Sequence, residues 1–379
     1  MPRAGIALLA ALLAASGVLA FDRVAPSSPQ SVAAQRVGGA ESQVQLWLPL
    51  LSRHALLGEL SGRIGARLTQ HESDEWEPVV SPDGRWIAYL TRPVGPPTAD
   101  GQARLRVMAT DGSCDETLAL PPFADLDLPA WDATRGNDGT KEALRLLFAG
   151  QHAAQGARLQ WDLFRVSLNV PDDGCPRVIL TAAPGHATVR QDVEGRLINL
   201  TATPDLDEGR LSLSPDGRWL AFDQAEPDAE DWNIAVLDLS RGTRRVLTSH
   251  PARDRKPSFS PDGRHIVFRS EQSGNSQIFR IDLDGGGLAR LTFTLGNDGY
   301  PSYAPDGRHI LFESDKGGTK GLYLMDAWGR GRQVLLSDDR LRFATPSWHP
   351  NGVDILFTAG AADVSLDLHR MRLPVLAGP

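Results

Sequence analysis

Apolar residues in this chain come in short runs that recur, each behind the same kind of turn. The runs are Ile87-Ala88-Tyr89, Leu146-Leu147-Phe148, Leu220-Ala221-Phe222, Ile266-Val267-Phe268, Ile310-Leu311-Phe312 and Ile355-Leu356-Phe357. Successive side chains of a strand point to opposite faces, so three apolar neighbours make a strand that is apolar on both sides and must lie between layers. The turns are Ser81-Pro82-Asp83-Gly84, Ser214-Pro215-Asp216-Gly217, Ser260-Pro261-Asp262-Gly263, Ala304-Pro305-Asp306-Gly307 and His349-Pro350-Asn351-Gly352, with a degenerate copy at Asn137-Asp138-Gly139. Pro presets the first corner, Asp or Asn bonds its own backbone, and Gly takes a left-handed position that a Cβ would penalise. Such a turn joins two antiparallel strands.

The last four copies, at Asp216, Asp262, Asp306 and Asn351, follow one another at intervals of 46, 44 and 45 residues. A period of that length with several short strands per unit marks propeller blades. Third strands are read at Ile234 to Asp238, Ile278 to Asp282 and Leu322 to Asp326. Outer strands, ending in Leu-Thr or similar, are read at Ala66 to Thr69, Thr117 to Leu120, Val178 to Thr181, Arg245 to Thr248, Ala289 to Thr292 and Gln333 to Leu336. The pattern predicts an all-β fold, a six-bladed β-propeller of four-stranded antiparallel blades, over 64-379. The first outer strand precedes the first inner one, and the last blade, from Thr345 to about Leu373, lacks its own. The N-terminal strand is therefore expected to complete the last blade and close the ring, which leaves fewer exposed edges. An insertion at 182-210, with a hairpin of Val189 to Asp192 and Leu197 to Leu200, interrupts the rhythm; insertions in repeat arrays gather on one face, often the binding face.

Composition suits this reading: 379 residues, 41% hydrophobic, with 37 Gly and 27 Pro for the turns. A net charge of −8 gives no overall positive field for nucleic acid or anionic lipid. Residues 1-20 carry Arg3 and then the apolar run Ala4 to Ala20, which reads as a signal peptide or N-terminal anchor. The run is slightly short for a spanning helix, and no Cys follows it for a lipid anchor. Export to the periplasm is expected, with contact to a membrane only through that anchor. Residues 21-63 read as a leader or spacer in which Val44 to Leu48 could form an extra strand. Cys114 and Cys175 follow matching Asp-Gly turns in neighbouring repeats. An exported pair invites a disulfide, although matching points on adjacent blades can lie beyond the limit of roughly 7 Å between Cα atoms.

The stretch Pro257-Ser258-Phe259-Ser260-Pro261-Asp262-Gly263-Arg264-His265-Ile266-Val267-Phe268-Arg269-Ser270, with its relatives at Pro78, Pro301 and Pro346, resembles the WD-repeat-like propeller motif of the TolB family. The resemblance covers about residues 64 to 373. It implies a six-bladed propeller of the bacterial cell envelope that binds partner proteins, notably the peptidoglycan-associated lipoprotein, around the mouth of its channel. The family also carries an α/β domain ahead of the propeller, for which the roughly 40 residues from Phe21 to Arg63 are too few. A TolB-like relative is therefore expected. The same propeller resembles the extracytoplasmic sensing domains of some membrane-anchored regulators.

Segments running from an outer strand to the next inner strand gather at one end of the channel. They hold Asp74, Glu75, Trp76, Asp125, Asp127, Arg210, Arg253, Asp254, Arg255, Asp298, Tyr300, Arg342 and Phe343. Mixed charge with aromatics suits a polar protein partner, since buried aromatic and Arg anchors dominate interface energies. Paired acids there could also hold Ca²⁺, but nothing resembles a dedicated calcium loop. Of the nine histidines, His265 and His309 sit beside turns, whereas His71 and His250 follow matching outer strands and could face the channel as metal ligands. That leaves a propeller lactonase or lyase with a channel metal as the alternative. No Gly-x-Ser-x-Gly turn, His-Glu-x-x-His motif or phosphate loop is present. Trp86, Trp131, Trp219 and Trp348 read as blade-packing residues. The leading expectation is a monomeric, non-enzymatic interaction or sensing module without a cofactor.

Overall fold

The computed structural model describes residues 65–70, 73–93, 102–132, 144–153, 159–168, 174–176, 197–203, 205–361 and 365–373. The chain enters with β1 (Ala66–Arg67) and then lays down its blades in order. Blade 1 is β2 (Ser73–Val80), β3 (Trp86–Pro93), β4 (Arg104–Ala109) and β5 (Glu116–Thr117). Blade 2 is β6 (Asp125–Asp132), β7 (Leu144–Ala153), β8 (Leu159–Leu168) and β9 (Ile198–Asn199). Blade 3 is β10 (Asp207–Leu213), β11 (Trp219–Ala225), β12 (Asn233–Asp238) and β13 (Thr243–Val246). Blade 4 is β14 (Asp254–Phe259), β15 (His265–Ser270), β16 (Gln277–Asp282) and β17 (Ala289–Arg290). Blade 5 is β18 (Asp298–Tyr303), β19 (His309–Ser314), β20 (Gly321–Asp326) and β21 (Gln333–Ser337). Blade 6 is β22 (Leu341–Trp348), β23 (Asp354–Ala361) and β24 (Asp367–Arg372), completed on its outer edge by β1. Six four-stranded antiparallel sheets result, as the repeat predicts.

The turn motif works through its side chains. In blades 1, 3 and 4 the Ser hydroxyl reaches the Asp carboxylate at 2.5 Å. The same Ser oxygen accepts the N–H that opens the second strand, from Trp86, Trp219 and His265 at 2.8 to 2.9 Å. Gly84, Gly217, Gly263, Gly307 and Gly352 all have φ between 68° and 74°, the left-handed geometry that costs other residues roughly 1–2 kcal/mol. The degenerate copy at Asn137-Asp138-Gly139 lies outside the described residues.

The apolar runs form the second strands and are fully buried, with Phe148, Phe222, Phe268, Phe312 and Phe357 at 0% exposure. Each such ring contributes roughly 1.5–3 kcal/mol by leaving water. Because the strands are apolar on both faces, the cores lie between blades. Ala221, Ile234 and Val236 of blade 3, for example, share a cluster with Phe259, Ile266 and Phe268 of blade 4. Trp131 and Trp348 are buried and cross the seams, donating from Nε1 to the carbonyls of Val79 and Ser302 in the preceding blade at 3.0 and 3.2 Å.

The Leu-Thr signal also has a cause. Thr69, Thr201, Thr248 and Thr292 each accept the backbone N–H of a third-strand residue: Leu368, Leu163, Ile234 and Ile278, at 2.9 to 3.1 Å. The hydroxyl thus carries on the ladder where the outer strand bends away. At the closure, Ala66 and Arg67 pair with Arg370 and His369, and Leu68 donates to the Leu368 carbonyl at 2.8 Å. Ile87, Tyr89 and Met108 of blade 1 then pack on Leu356 and Leu368 of blade 6.

Blade 2 differs from the sequence reading. The strand paired with β8 is Ile198–Asn199, with Asn199 opposite Phe164 and Ile198 opposite Arg165. Leu197 to Leu200 is therefore the outer edge of the blade and not one arm of an inserted hairpin. Asn199 Nδ2 donates to Asp162 at 2.7 Å and Thr201 accepts from Leu163, contacts that fix this pairing. The extra length consequently falls between the third and outer strands, at the same end of the blades as the Pro-Asp-Gly turns. Val178 to Thr181 and Val189 to Asp192 lie outside the described residues, as do residues 1–64 with the apolar N-terminal run. At that same end, Cys114 and Cys175 are joined by a disulfide across neighbouring blades, with Cα atoms 5.4 Å apart.

Candidate functional site

The inner strands share a feature that no turn signal announces. Each is bulged near its start, and the bulge holds a non-glycine residue with positive φ: Glu77, Leu128, Arg210, Lys256, Tyr300 and Thr345. Five of these precede a proline, at Pro78, Pro129, Pro257, Pro301 and Pro346. Proline has no N–H for the ladder, so the strand steps out of register there. Three of the bulge N–H groups are capped by carboxylates: Leu128 by Glu77 at 2.8 Å, Lys256 by Asp223 at 3.1 Å, and Thr345 by Glu313.

The candidate rim residues lie on these strand starts and divide into groups. Trp76, Asp125, Asp127, Arg210 and Arg255 come together with Arg92, Trp161, Gly209 and Trp232 in a cleft of about 290 Å³ lined by blades 1 to 4. Tyr300 lines the central channel beside Lys256. Glu75, Asp254, Asp298 and Phe343 are buried, at 2% exposure or less, and face the interior. Glu75 accepts from Thr69 and from the Leu368 N–H, Asp298 pairs with Arg332 at 2.7 Å, and Phe343 packs on Phe357. Asp74 accepts the Leu366 N–H at 3.1 Å, and Arg253 pairs with Glu230 at 3.0 Å. Arg342 is exposed on blade 6, outside the cleft.

Within the cleft, arginines lie over tryptophans. The Arg92 guanidinium is 5.2 Å from the Trp76 ring centre and 2.6 Å from Asp125. Arg255 is 4.0 Å from the Trp232 ring centre and 3.4 Å from the buried Asp223. Arg210 is 3.3 Å from Asp127. Burial works to raise Asp127, but Arg210 beside it holds its carboxyl below the usual range. Burial raises Asp223 in spite of Arg255 and Arg210. Gly209 permits this packing, since a Cβ there would stand 2.7 Å from Asp223 Oδ1.

Lys256, Glu77, Arg92, Trp161, Trp232 and Asp223 were not among the rim candidates. The repeated residue-before-proline was the available signal for Glu77 and Lys256, whereas Arg92 closes the second strand β3 and Trp232 lies on the connection from β11 to β12, which emerges at the same end. Of the histidines, His265 and His309 are held by Asp282 and Asp306 at 2.8 and 2.9 Å. His250 accepts the Ala252 N–H at 3.1 Å, and His71 lies outside the described residues. Among the described residues, no group of three or more His, Cys, Asp or Glu is placed to hold a metal ion.

A family model described as the TolB beta propeller domain matches residues 191–294 and 212–375. The Tol-Pal system protein TolB of Bordetella pertussis is 56% identical over 127 residues, which is 33% of this chain and 28% of that protein. The chain matches about a quarter of the length of the curated relatives. Among solved structures, TolB from Acinetobacter baumannii superposes with a TM-score of 0.51 at 18% identity, over 85% of this chain and 68% of that one. A puromycin-hydrolyzing peptidase of Mycobacterium tuberculosis gives 0.50 at 14% identity, over 83% of this chain and 53% of that one. At such identities the likeness shows the fold alone, and the fold is shared by binding proteins and enzymes. From its repeats, its six blades and its matched residues, the chain is a TolB-like β-propeller protein.

Proposed function

We propose that this propeller is an exported, non-enzymatic interaction or sensing module of the bacterial cell envelope, docking an envelope protein of the peptidoglycan-associated lipoprotein type at its channel mouth. The observation that carries the reading is the cleft at that mouth, where Trp76, Trp161 and Trp232 meet Arg92, Arg210 and Arg255. Arginine and tryptophan are the side chains that most often dominate binding energy. Stacking on Trp76 and Trp232 holds the guanidinium groups of Arg92 and Arg255 in place, so less entropy is lost when a partner arrives. The Tol-Pal name of the Bordetella relative supports the partner class.

The test is calorimetric titration with the soluble domain of a peptidoglycan-associated lipoprotein from the same bacterium. Arg92→Glu alters an Arg with a 45% exposed side chain, paired to an Asp that is itself 32% exposed, so folding should survive. The expected result is binding weakened at least tenfold, while Arg342→Glu, outside the cleft, leaves it unchanged. Absence of binding to the wild type, or equal weakening by both variants, would overturn the reading.

A further inference from the structure

Inside the ring, the inner strands enclose a cavity of about 260 Å³. That is room for roughly eight water-sized groups at about 30 Å³ each. Its two sides differ in chemistry. Blades 1 and 2 line it with Val79, Val80, Leu128 and Ala130. In blades 3 to 6 the positions equivalent to Val79 and Ala130 are Ser212, Ser258, Ser302 and Ser347, so hydroxyls stand where blades 1 and 2 have hydrocarbon. The Ser212 and Ser258 oxygens accept the N–H groups of Phe259 and Tyr303 at 3.1 and 3.4 Å and keep their protons as donors. Ser347 Oγ is buried with no hydrogen-bond partner among the described residues.

Lys256 completes the polar side. Its side chain is only 7% exposed, and Nζ lies over the Tyr300 ring, 3.9 Å from Glu77, with no hydrogen-bond partner among the described residues. An ammonium offers three donors and no acceptor, and leaving them unmet in a buried place is costly. Glu77 is a poor acceptor for it. One of its oxygens already takes the Leu128 N–H, and burial and then Asp127 raise its carboxyl well above the usual range. The cavity is therefore walled by donors on the side of blades 3 to 6 and, Glu77 apart, by hydrocarbon on the side of blades 1 and 2.

We infer that this cavity binds a monocarboxylate with a short apolar tail, its oxygens accepting from Lys256 Nζ and the serine side, its tail against Val79, Leu128 and Ala130. A single negative charge fits better than a phosphate, because burial, and then Arg210, lowers Lys256 to about 7, and Asp127, whose carboxyl is held below the usual range, also acts on it and would repel a dianion. The same group could arrive on a free short-chain acid or as the C-terminal carboxylate of a peptide. This site is separate from the mouth cleft and does not depend on what docks there.

The experiment is titration of the full chain, by calorimetry and saturation-transfer NMR, with hexanoate, hexanamide, and acetyl-Ala-Val bearing a free or an amidated carboxyl. Hexanoate should bind at least tenfold more tightly than hexanamide, and Lys256→Gln should remove that preference. Ser347→Ala should weaken hexanoate a few-fold. Tighter binding of the free-carboxyl dipeptide than of hexanoate assigns the peptide source, and the reverse order assigns the free acid. Equal binding of acid and amide, or no binding of either carboxylate, overturns the inference. The acid–amide comparison uses wild-type protein, so it stands whatever Lys256→Gln does to folding.

Discussion

The two ends of the blades use polar side chains in opposite ways. At the turn end, Ser81, Ser214 and Ser260 make the same bonds to Asp83, Asp216 and Asp262, and each bond is spent on the turn itself. At the mouth end, the equivalent bulge positions hold Glu77, Leu128, Arg210, Lys256, Tyr300 and Thr345, no two alike. Chemistry that repeats from blade to blade is serving the blade. Chemistry that changes from blade to blade, on a backbone that does not, is where a specific surface can be written.

The largest effect should come from the turn end and leave the mouth untouched. Replacing both Cys114 and Cys175 by Ser opens a link across 61 residues, worth about 4 kcal/mol on loop-closure grounds. Denaturant unfolding should show the midpoint falling while the mouth cleft binds its partner as before. A matching loss of binding would break the separation of the two ends.

Within the mouth, Arg255 and Arg92 should behave differently. Arg255→Ala takes from the fully buried Asp223 its ion-pair partner, leaving Arg210 as the cation that acts on it, and should cost about 3 kcal/mol. Arg92→Ala breaks a solvated pair and should cost under about 1 kcal/mol. Equal destabilisation in thermal melts would show that Asp223 draws its support from elsewhere. Next comes the repeated threonine: Thr292→Val keeps the shape but withdraws the acceptor for the Ile278 N–H, for about 1–2 kcal/mol. Thr248→Val should match it, because it makes the same bond to Ile234.

The smallest effect is a slope against pH. Burial raises Glu75 from 4.5 to about 8, against the hydrogen bonds it accepts from Thr69 and Leu368. Between those values the folded chain holds a proton that the unfolded chain has released, so stability falls as pH rises through the window. Glu75→Gln should flatten part of that fall in melts compared at about pH 5 and pH 8, leaving the share of Glu208, which burial also raises to about 8. An unchanged slope would mean that Glu75 is ionised in the folded protein.

Much of the ring was legible because its signals are local. A turn needs Pro, Asp and Gly in fixed order, and a strand between layers needs apolar residues on both faces, so neither depends on distant partners. The outer strand of blade 2 was harder, since Val178 to Thr181 and Leu197 to Thr201 both end in Leu-Thr. Only the partners of Asn199 and Thr201 on β8, more than 35 residues away, decide between them. The rim was harder still. Glu75, Asp254 and Asp298 share with Asp125 and Asp127 a place near the start of an inner strand, yet the former face the interior and the latter the cleft.

The sequence by itself determined the number of blades, the turns between their first strands and the strand that zips the ring shut, because periodic patterning and turn chemistry act within a few residues of chain. Tertiary structure alone decided which charges meet. Arg255 reaches Asp223 of the neighbouring blade, and Lys256 stands against Glu77 from across the channel. Those distances follow from how the sheets pack around the axis, and that packing has no trace in the spacing of residues along the chain.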